Sequence, residues 1–394
     1  MMMKYLALCI VLVGMSSAER YSQLSVGAAL ESPSKLLYLY SAYTQEEHKE
    51  KSAPRLELFK KTLQMIAKEN AEHSSWTLGI NKFSDLTMME KRHYLGMNST
   101  AHRMAKRKLR GSMRQSEVPN LQSATEKDWR KEGKVTGVKD QGECGSCWAF
   151  GAVGPIETNY AVLTGKLKSF SEKEFLDCVF GHEDGCQGGF YENCWTYAKR
   201  TGHLSLTDDA PYDGKSERCG QKYKRTHNAL IAAKIRGGKG YYSIPAGEKN
   251  MIAHLEKGAV GIAFEVTDNL FSYQKGIIED KTCSCGNKGC GKWGKANHAV
   301  TAVGYTPKSM IVKNSWGTNW GMKGYFETAR GTDLCEYFRW GAIPLLRKTG
   351  VKDNDPAYVP SEEGGCEGKN PDGCACGTVR CGDGKCRHAH MCNH

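Results

Sequence analysis

The stretch Gln141-Gly142-Glu143-Cys144-Gly145-Ser146-Cys147-Trp148-Ala149-Phe150 decides how the rest of this 394-residue chain is read. Its glycines permit sharp backbone bends, and its two cysteines stand three apart ahead of an apolar run of helical character, so Cys147 falls near a helix start. Free amide N–H groups and the positive end of a helix dipole stabilise an anion there, and a nearby imidazolium stabilises it further. Cys147 is therefore the candidate nucleophile, because a thiolate so placed attacks carbonyl carbon at neutral pH.

Working outward, 40% hydrophobic residues suffice for a buried core, and the length allows two or three domains. The 17 cysteines need an explanation, and Met1 to Ala18 supplies one. Lys4, an apolar run from Tyr5 to Met15 and the small residues Ser16-Ser17-Ala18 form the pattern of a secretory signal peptide. That run is too short to cross a bilayer and no other comes close, so no membrane span is expected and the mature protein should be soluble. The remaining cysteines then read as a disulfide framework of an oxidising compartment. A net charge of +12 suggests a nucleic-acid partner only until its distribution is examined. Residues 1–116 hold 18 Lys/Arg against 10 Asp/Glu, and the remainder is nearly balanced at 37 against 33. Arg103, Lys106, Arg107, Lys108, Arg110 and Arg114 crowd one stretch without an acid, as in an exposed, protease-sensitive linker.

Cys144-Gly145-Ser146-Cys147-Trp148 resembles, without a substitution, the C-G-[SA]-C-[WY] signature of the papain-like cysteine proteases. Of the 12 histidines, any one alone is more often a surface or structural residue, but His298 is set apart by its surroundings. Ala299 to Tyr305 reads as a strand, Thr306-Pro307-Lys308-Ser309 as a turn and Met310 to Lys313 as the returning strand. A turn centred near Thr306 pairs His298 with Asn314 to within about a residue. An amide beside an imidazole can accept its N–H and fix the ring with the other nitrogen facing the sulfur. Asn314-Ser315-Trp316-Gly317 resembles the family's third catalytic motif, in which the tryptophan shields the His–Asn hydrogen bond. Gln141 matches the residue whose amide completes the oxyanion hole with the Cys147 N–H. The resemblance implies an α+β, papain-like fold of two lobes. One is a helical lobe carrying the cysteine helix, and the other is an antiparallel β-barrel-like lobe carrying the histidine and asparagine. Gly151, Gly154 and Pro155 are poor helix-interior residues, so the spacing predicts a kink in that helix beyond an intact first turn.

Upstream, Thr44 to Glu72 favours helix, with Arg55, Phe59, Leu63, Ile66 and Asn70 recurring at helical spacing. The pattern resembles the helical motif of cathepsin L-like propeptides, departing from it at Lys51 and Thr62. Gly79-x-Asn81-x-Phe83-x-Asp85 matches the second propeptide motif completely. Together they imply a small helical prodomain that crosses the substrate cleft in the non-productive direction. The expected organisation is a signal peptide 1–18, an inhibitory propeptide 19–116, a catalytic domain 117–347, a linker 348–365 and a Cys-rich module 366–394. The mature chain is expected to start between Glu117 and Gln122, and Asn98-Ser99-Thr100 is a glycosylation sequon.

By resemblance, Cys144 pairs with Cys186, Cys178 with Cys219, and Cys335 with Cys283 or Cys290. An odd cysteine is then left over, and Cys194 reads as a buried free thiol. Gly188-Gly189 resembles the strip that bonds substrate backbone, while Phe190, Tyr191, Ala263, Ala296, Ala299 and Trp340 fall at positions lining the main specificity pocket. An inward Trp340 would shorten that pocket and favour smaller apolar side chains. The segment Cys283 to Trp293 reads as an inserted loop beside the cleft. Six cysteines within the last 29 residues are read as three disulfides rather than as a metal site with His388, His390 and His394. The expected protein is a monomeric zymogen of a cysteine endopeptidase, secreted or lysosome-like, acting on peptides and proteins without cofactor or metal. The alternatives are a catalytically silent binding protein on the same fold and another Cys-His-Asn enzyme such as an acyl transferase.

Overall fold

A computed structural model describes residues 26–352 except 73–74, 98–124, 180–184, 226–227, 280–282, 284–295 and 332–333, together with 379–380 and 386–387 of the tail. The signal peptide, the basic linker, Asn98, the mature start, Cys285 and Cys290 lie outside the described residues, as does all of the Cys-rich module but those two pairs.

The N-terminal segment folds around its aromatic residues. Helices α1 (Val26–Leu30), α2 (Pro33–Glu46) and α3 (Ala53–Glu72) bring Tyr40 and Tyr43 onto Phe59, with ring centroids 5.4 and 4.8 Å away. The helix-favouring stretch from Thr44 does not run through. Instead α2 stops at Glu46, the chain turns through His48 at φ 50°, and α3 starts afresh. Strand β1 (Trp76–Leu78) and helix α4 (Met88–Arg92) follow, the latter held by a Thr87–Glu90 capping box.

The helical lobe follows β2 (Lys127–Asp128) and contains α5 (Cys147–Thr164), α6 (Glu172–Cys178), α7 (Tyr191–Thr201) and α8 (Lys222–Arg225). The helix α5 is not ended by Pro155 and runs through it as one element. Packing accounts for it, since α5 is almost wholly buried and its glycines are contact points. A methyl group on Gly151 would lie 3.1 Å from Ala299 Cβ, and one on Gly154 only 2.2 Å from Thr301 Oγ1. These poor helix formers therefore let α5 lie close against the sheet.

The rest of the chain runs through β3 (Ala233–Ile235) and β4 (Tyr241–Ser243), then, after α9 (Glu248–Leu255), β5 (Val260–Phe264). Helix α10 (Asp268–Phe271), β6 (Tyr273–Ile278), β7 (His298–Tyr305), β8 (Ser309–Lys313), β9 (Tyr325–Ala329), β10 (Ala342–Pro344) and β11 (Leu346–Lys348) follow. The sheet order is β1-β6-β9-β8-β7-β5-β10-β4, with β2 beside β7 and a separate β3–β11 pair. The N-terminal segment thus contributes β1, an edge strand. Pairing is antiparallel except between β6 and β9, which the expected antiparallel lobe did not include. Strands β5, β7 and β8 are buried along their whole length, as their continuous apolar runs require. Backbone pairing continues through Lys348, and the Thr349 amide donates to Ala232 O at 2.9 Å, two residues into the expected linker.

A buried ionic brace joins the lobes. Lys139 Nζ reaches Glu157 of α5 at 2.9 Å and Glu172 of α6 at 2.7 Å, while Lys313 of β8 donates to Thr136 at 2.8 Å and lies 3.9 Å from Glu157. Burial opposes the Lys139 ammonium but the two carboxylates outweigh it and raise its pKa, whereas burial lowers that of Lys313 to about 8.

Candidate active site

Cys147 is the first residue of α5 and is fully buried, with its thiol facing the amide of Ala299 at the start of β7. The loop before it is anchored on several sides. Gly142 takes φ 58°, the Gly145 N–H donates to Cys186 O at 3.0 Å, and Cys144 is bonded to Cys186. Trp148 Nε1 donates to Gly185 O at 3.0 Å, tying the helix to the segment that carries Gly188 and Gly189. Disulfides Cys178–Cys219 and Cys283–Cys335 are also formed, and Cys194 is a buried free thiol.

His298 opens β7, opposite Phe264 of β5. Its Nε2 lies 2.8 Å from Asn314 Oδ1, so the network assigns the proton to Nε2 and leaves Nδ1 without a hydrogen-bond partner among the described residues. The contact does not arise from the expected register. Thr301 pairs with Lys313 and Ala302 with Val312, a bulge follows at Val303, and Gly304 pairs with Ile311. The ladder therefore projects His298 towards Trp316 rather than Asn314. Asn314 has left the ladder, giving its N–H to Gly324 O, and only its side chain turns back to the ring. The Trp316 ring covers His298 at 4.8 Å and stacks on Phe271 at 5.1 Å.

Gln141 is buried with its amide oriented from both ends. Ser315 Oγ donates to its Oε1 at 2.7 Å, which turns Nε2 towards the cleft. Tyr212 Oη donates to the Gln141 carbonyl at 2.8 Å and contacts Ser146 Oγ at 2.6 Å. Sequence reasoning missed Ser315 and Tyr212. Only the position of Ser315 beside Asn314 could have signalled it.

The N-terminal segment fills this cleft. Tyr94 O accepts from Gln141 Nε2 at 3.1 Å, and the Gly96 N–H donates to Cys147 Sγ at 3.2 Å. Gly96 O accepts from the Gly189 N–H at 2.8 Å, the Met97 N–H donates to Asn297 O at 3.0 Å, and Met97 forms a parallel bridge with Gly189. The sulfur thus meets an N–H donor, not a carbonyl carbon, so this peptide is held but not attacked. Burial pushes the Cys147 thiol up to about 11, although the Ala299, Gly96 and Trp148 amides pull the other way. Burial likewise takes His298 down to about 4 against the opposing Asn314 hydrogen bond. Both shifts favour the neutral forms of sulfur and imidazole while the segment is in place.

Residues 123–342 match the papain family cysteine protease domain, and residues 39–90 match the cathepsin propeptide inhibitor domain (I29). The chain belongs to the papain family of cysteine proteases. It is 35% identical over 300 residues to pro-cathepsin H of Medicago truncatula, covering 74% of this chain and 80% of that protein. Over 322 residues it is 33% identical to a cathepsin L-like proteinase of Fasciola hepatica, covering 78% and 91%. The proform of the Amb a 11 cysteine protease, a major ragweed pollen allergen, superposes with a TM-score of 0.68 at 31% identity, covering 83% of this chain and 98% of that one. This papain-family hydrolase is made as a zymogen, and the segment in its cleft is its inhibitory propeptide.

Each propeptide motif residue has an assignable contact. Arg55 grips Glu90 and donates to Asp85 O at 2.9 Å, and the Asn70 side chain bonds both backbone groups of Leu78, at 2.8 and 3.0 Å. Asn81 donates to Phe271 O at 2.8 Å, while Asp85 accepts from Tyr43 Oη at 2.8 Å. The departures carry less: Lys51 is exposed, and Thr62 is buried in α3.

Gly96 matters because backbone meets backbone there. A methyl group on Gly96 would fall 1.7 Å from Gly145 O, and one on Gly188, at φ 111°, would fall 2.6 Å from Gly96 O. Gly96→Ala should therefore lift the propeptide off the sulfur at a cost of about 1–3 kcal/mol, leaving a zymogen whose latent activity before processing rises roughly five- to a hundredfold. A fluorogenic assay of unprocessed zymogen at neutral pH checks this, and latency equal to wild type would contradict the close approach.

The residues expected to line the specificity pocket lie in or against one extended buried core. Tyr191, Ala263, Ala296 and Ala299 share one apolar cluster with Met97 of the propeptide, and Phe190 and Trp340 pack against it.

Proposed function

We propose that Cys147 is the nucleophile of an endopeptidase acting on peptides and proteins. In this reading His298 is its acid–base partner, Asn314 orients the imidazole and Trp316 shields that hydrogen bond. Gln141 Nε2 and the Cys147 N–H form the oxyanion hole. The observation that carries the reading is the Gln141 side-chain amide, oriented by Ser315 and already donating to a propeptide carbonyl, Tyr94 O, while the Gly96 N–H two residues on donates to Cys147 Sγ. Once the propeptide leaves, the dyad proton moves from sulfur to imidazole. Thiolate attack on the substrate carbonyl forms a tetrahedral oxyanion, His298 gives its proton to the departing amine, and the thioester remains. Water deprotonated by His298 then releases the acid and restores the thiol. Gly188 and Gly189 bind extended backbone, and Phe190, Tyr191, Ala263, Ala296, Ala299 and Trp340 line the pocket for the side chain two residues before the scissile bond.

The protein acts as a monomer of the secretory pathway or a lysosome-like compartment, with a catalytic unit from about residue 117 and cleavage of the basic stretch freeing it. The Arg55 hydrogen bonds hold the Glu90 carboxyl down to about 2. A carboxyl depressed in this way contributes stability above its ordinary value of 4.5 and loses it as pH falls towards 2. Exposure to pH 5 therefore leaves this pair intact.

Neutral iodoacetamide at pH 5 tests the dyad. Released enzyme should be alkylated at Cys147 in minutes while the zymogen is not. Released His298→Ala should react on the order of a hundredfold more slowly, because its thiol keeps the ordinary pKa of about 8.5. Rapid labelling of released wild type only above pH 8 would rule out an imidazolium partner.

A further inference from the structure

Glu336 stands where neither its backbone nor its charge is at ease. Its φ of 72° and the 51° of Cys335 lie in the left-handed region, which costs a residue bearing Cβ about 1 kcal/mol or more relative to glycine. The residue is also only 1% exposed, an expensive position for a carboxylate. The carboxylate accepts the indole Nε1–H of Trp340 at 3.0 Å, and Arg339 Nε stands 3.8 Å away. Tyr191 Oη donates to the Trp340 carbonyl. Trp340 is therefore pinned at both backbone and ring, although it is only half-buried, and it packs on the cluster holding Tyr191, Ala263, Ala296, Ala299 and Met97.

We infer that Glu336 is a positioning residue for substrate selection: by bonding Trp340 Nε1 it fixes the indole as the end wall of the specificity pocket, restricting that subsite to short or unbranched apolar side chains. Glu336 is buried and bonded to the indole Nε1–H, so its charge is spent on the wall and is not offered to a basic substrate. Met97, unbranched, is the side chain that the propeptide places in this cluster. The inference rests on the reading that Trp340 lines the pocket.

The test compares kcat/KM of released enzyme on fluorogenic dipeptides that differ only at the residue two before the cleaved bond: Val, Met, Leu, Phe or Arg. Wild type should prefer Val or Met. Glu336→Gly suits the backbone, so it should fold, yet it frees the indole and should raise the Phe-to-Val ratio about tenfold or more. Glu336→Gln keeps an acceptor and should stay within about twofold of wild type, while Glu336→Gly should add nothing on top of Trp340→Ala. An unchanged ratio in Glu336→Gly, a further shift in the double variant, or a wild-type preference for Leu, Phe or Arg overturns the inference alone. A released wild type without peptidase activity overturns it together with the reading beneath it.

Discussion

Replacing Cys147 with alanine should lower kcat/KM of the released enzyme by a factor on the order of 10⁴ or more, with KM little changed. Binding and the oxyanion donors survive the change, but no group is left to form the thioester, and loss of a nucleophile from a catalytic unit typically costs this much. The zymogen of the variant should remain full length unless another protease is added. Its propeptide should still bind, because Tyr94 O, Gly96 O and the Met97 N–H keep partners independent of sulfur. Stopped assays on enzyme released by added protease give the number. A loss under about a hundredfold would mean that the chemistry lies elsewhere.

The second large effect concerns latency. Phe83 is fully buried, edge-on to Tyr94 at 4.8 Å and to Phe271 and Trp316 at 5.1 Å each. Its ring meets the same tryptophan that covers His298, so the propeptide anchor and the site share one aromatic nest. Phe83→Ala should cost about 3–5 kcal/mol and raise the open fraction of unprocessed zymogen by roughly two to four powers of ten. Met89→Ala, at a position 76% exposed, should leave latency alone. Initial rates of intact zymogen at neutral pH separate the two, and equal rates for both variants would show that the nest does not hold the propeptide.

What was legible in the sequence follows from local physics. Helix-start chemistry placed Cys147 at the first residue of α5, and apolar runs around a turn placed β7 and β8. The propeptide spacings pointed to residues that prove to have specific partners, from Arg55 to Asp85. The illegible parts depend on contacts between distant segments. The Val303 bulge shifts a register that a simple turn centre cannot reveal. Pro155 and the α5 glycines look like helix breakers until β7 is seen packed against them. Nothing in the pattern marked Gly96 as the residue on the sulfur, because its role rests on having no side chain to clash with Gly145. Glu336 was equally silent, since its cost lies in a dihedral angle.

Trapping the covalent intermediate tests the central claim most directly. Released enzyme mixed with an activated ester substrate, quenched in acid within milliseconds and digested at low pH, should carry the acyl group as a thioester on the peptide containing Cys147. The adduct should be lost on hydroxylamine treatment and absent from Cys147→Ala. An acyl group on Cys194 or on any other side chain, or turnover with no adduct, would contradict the account.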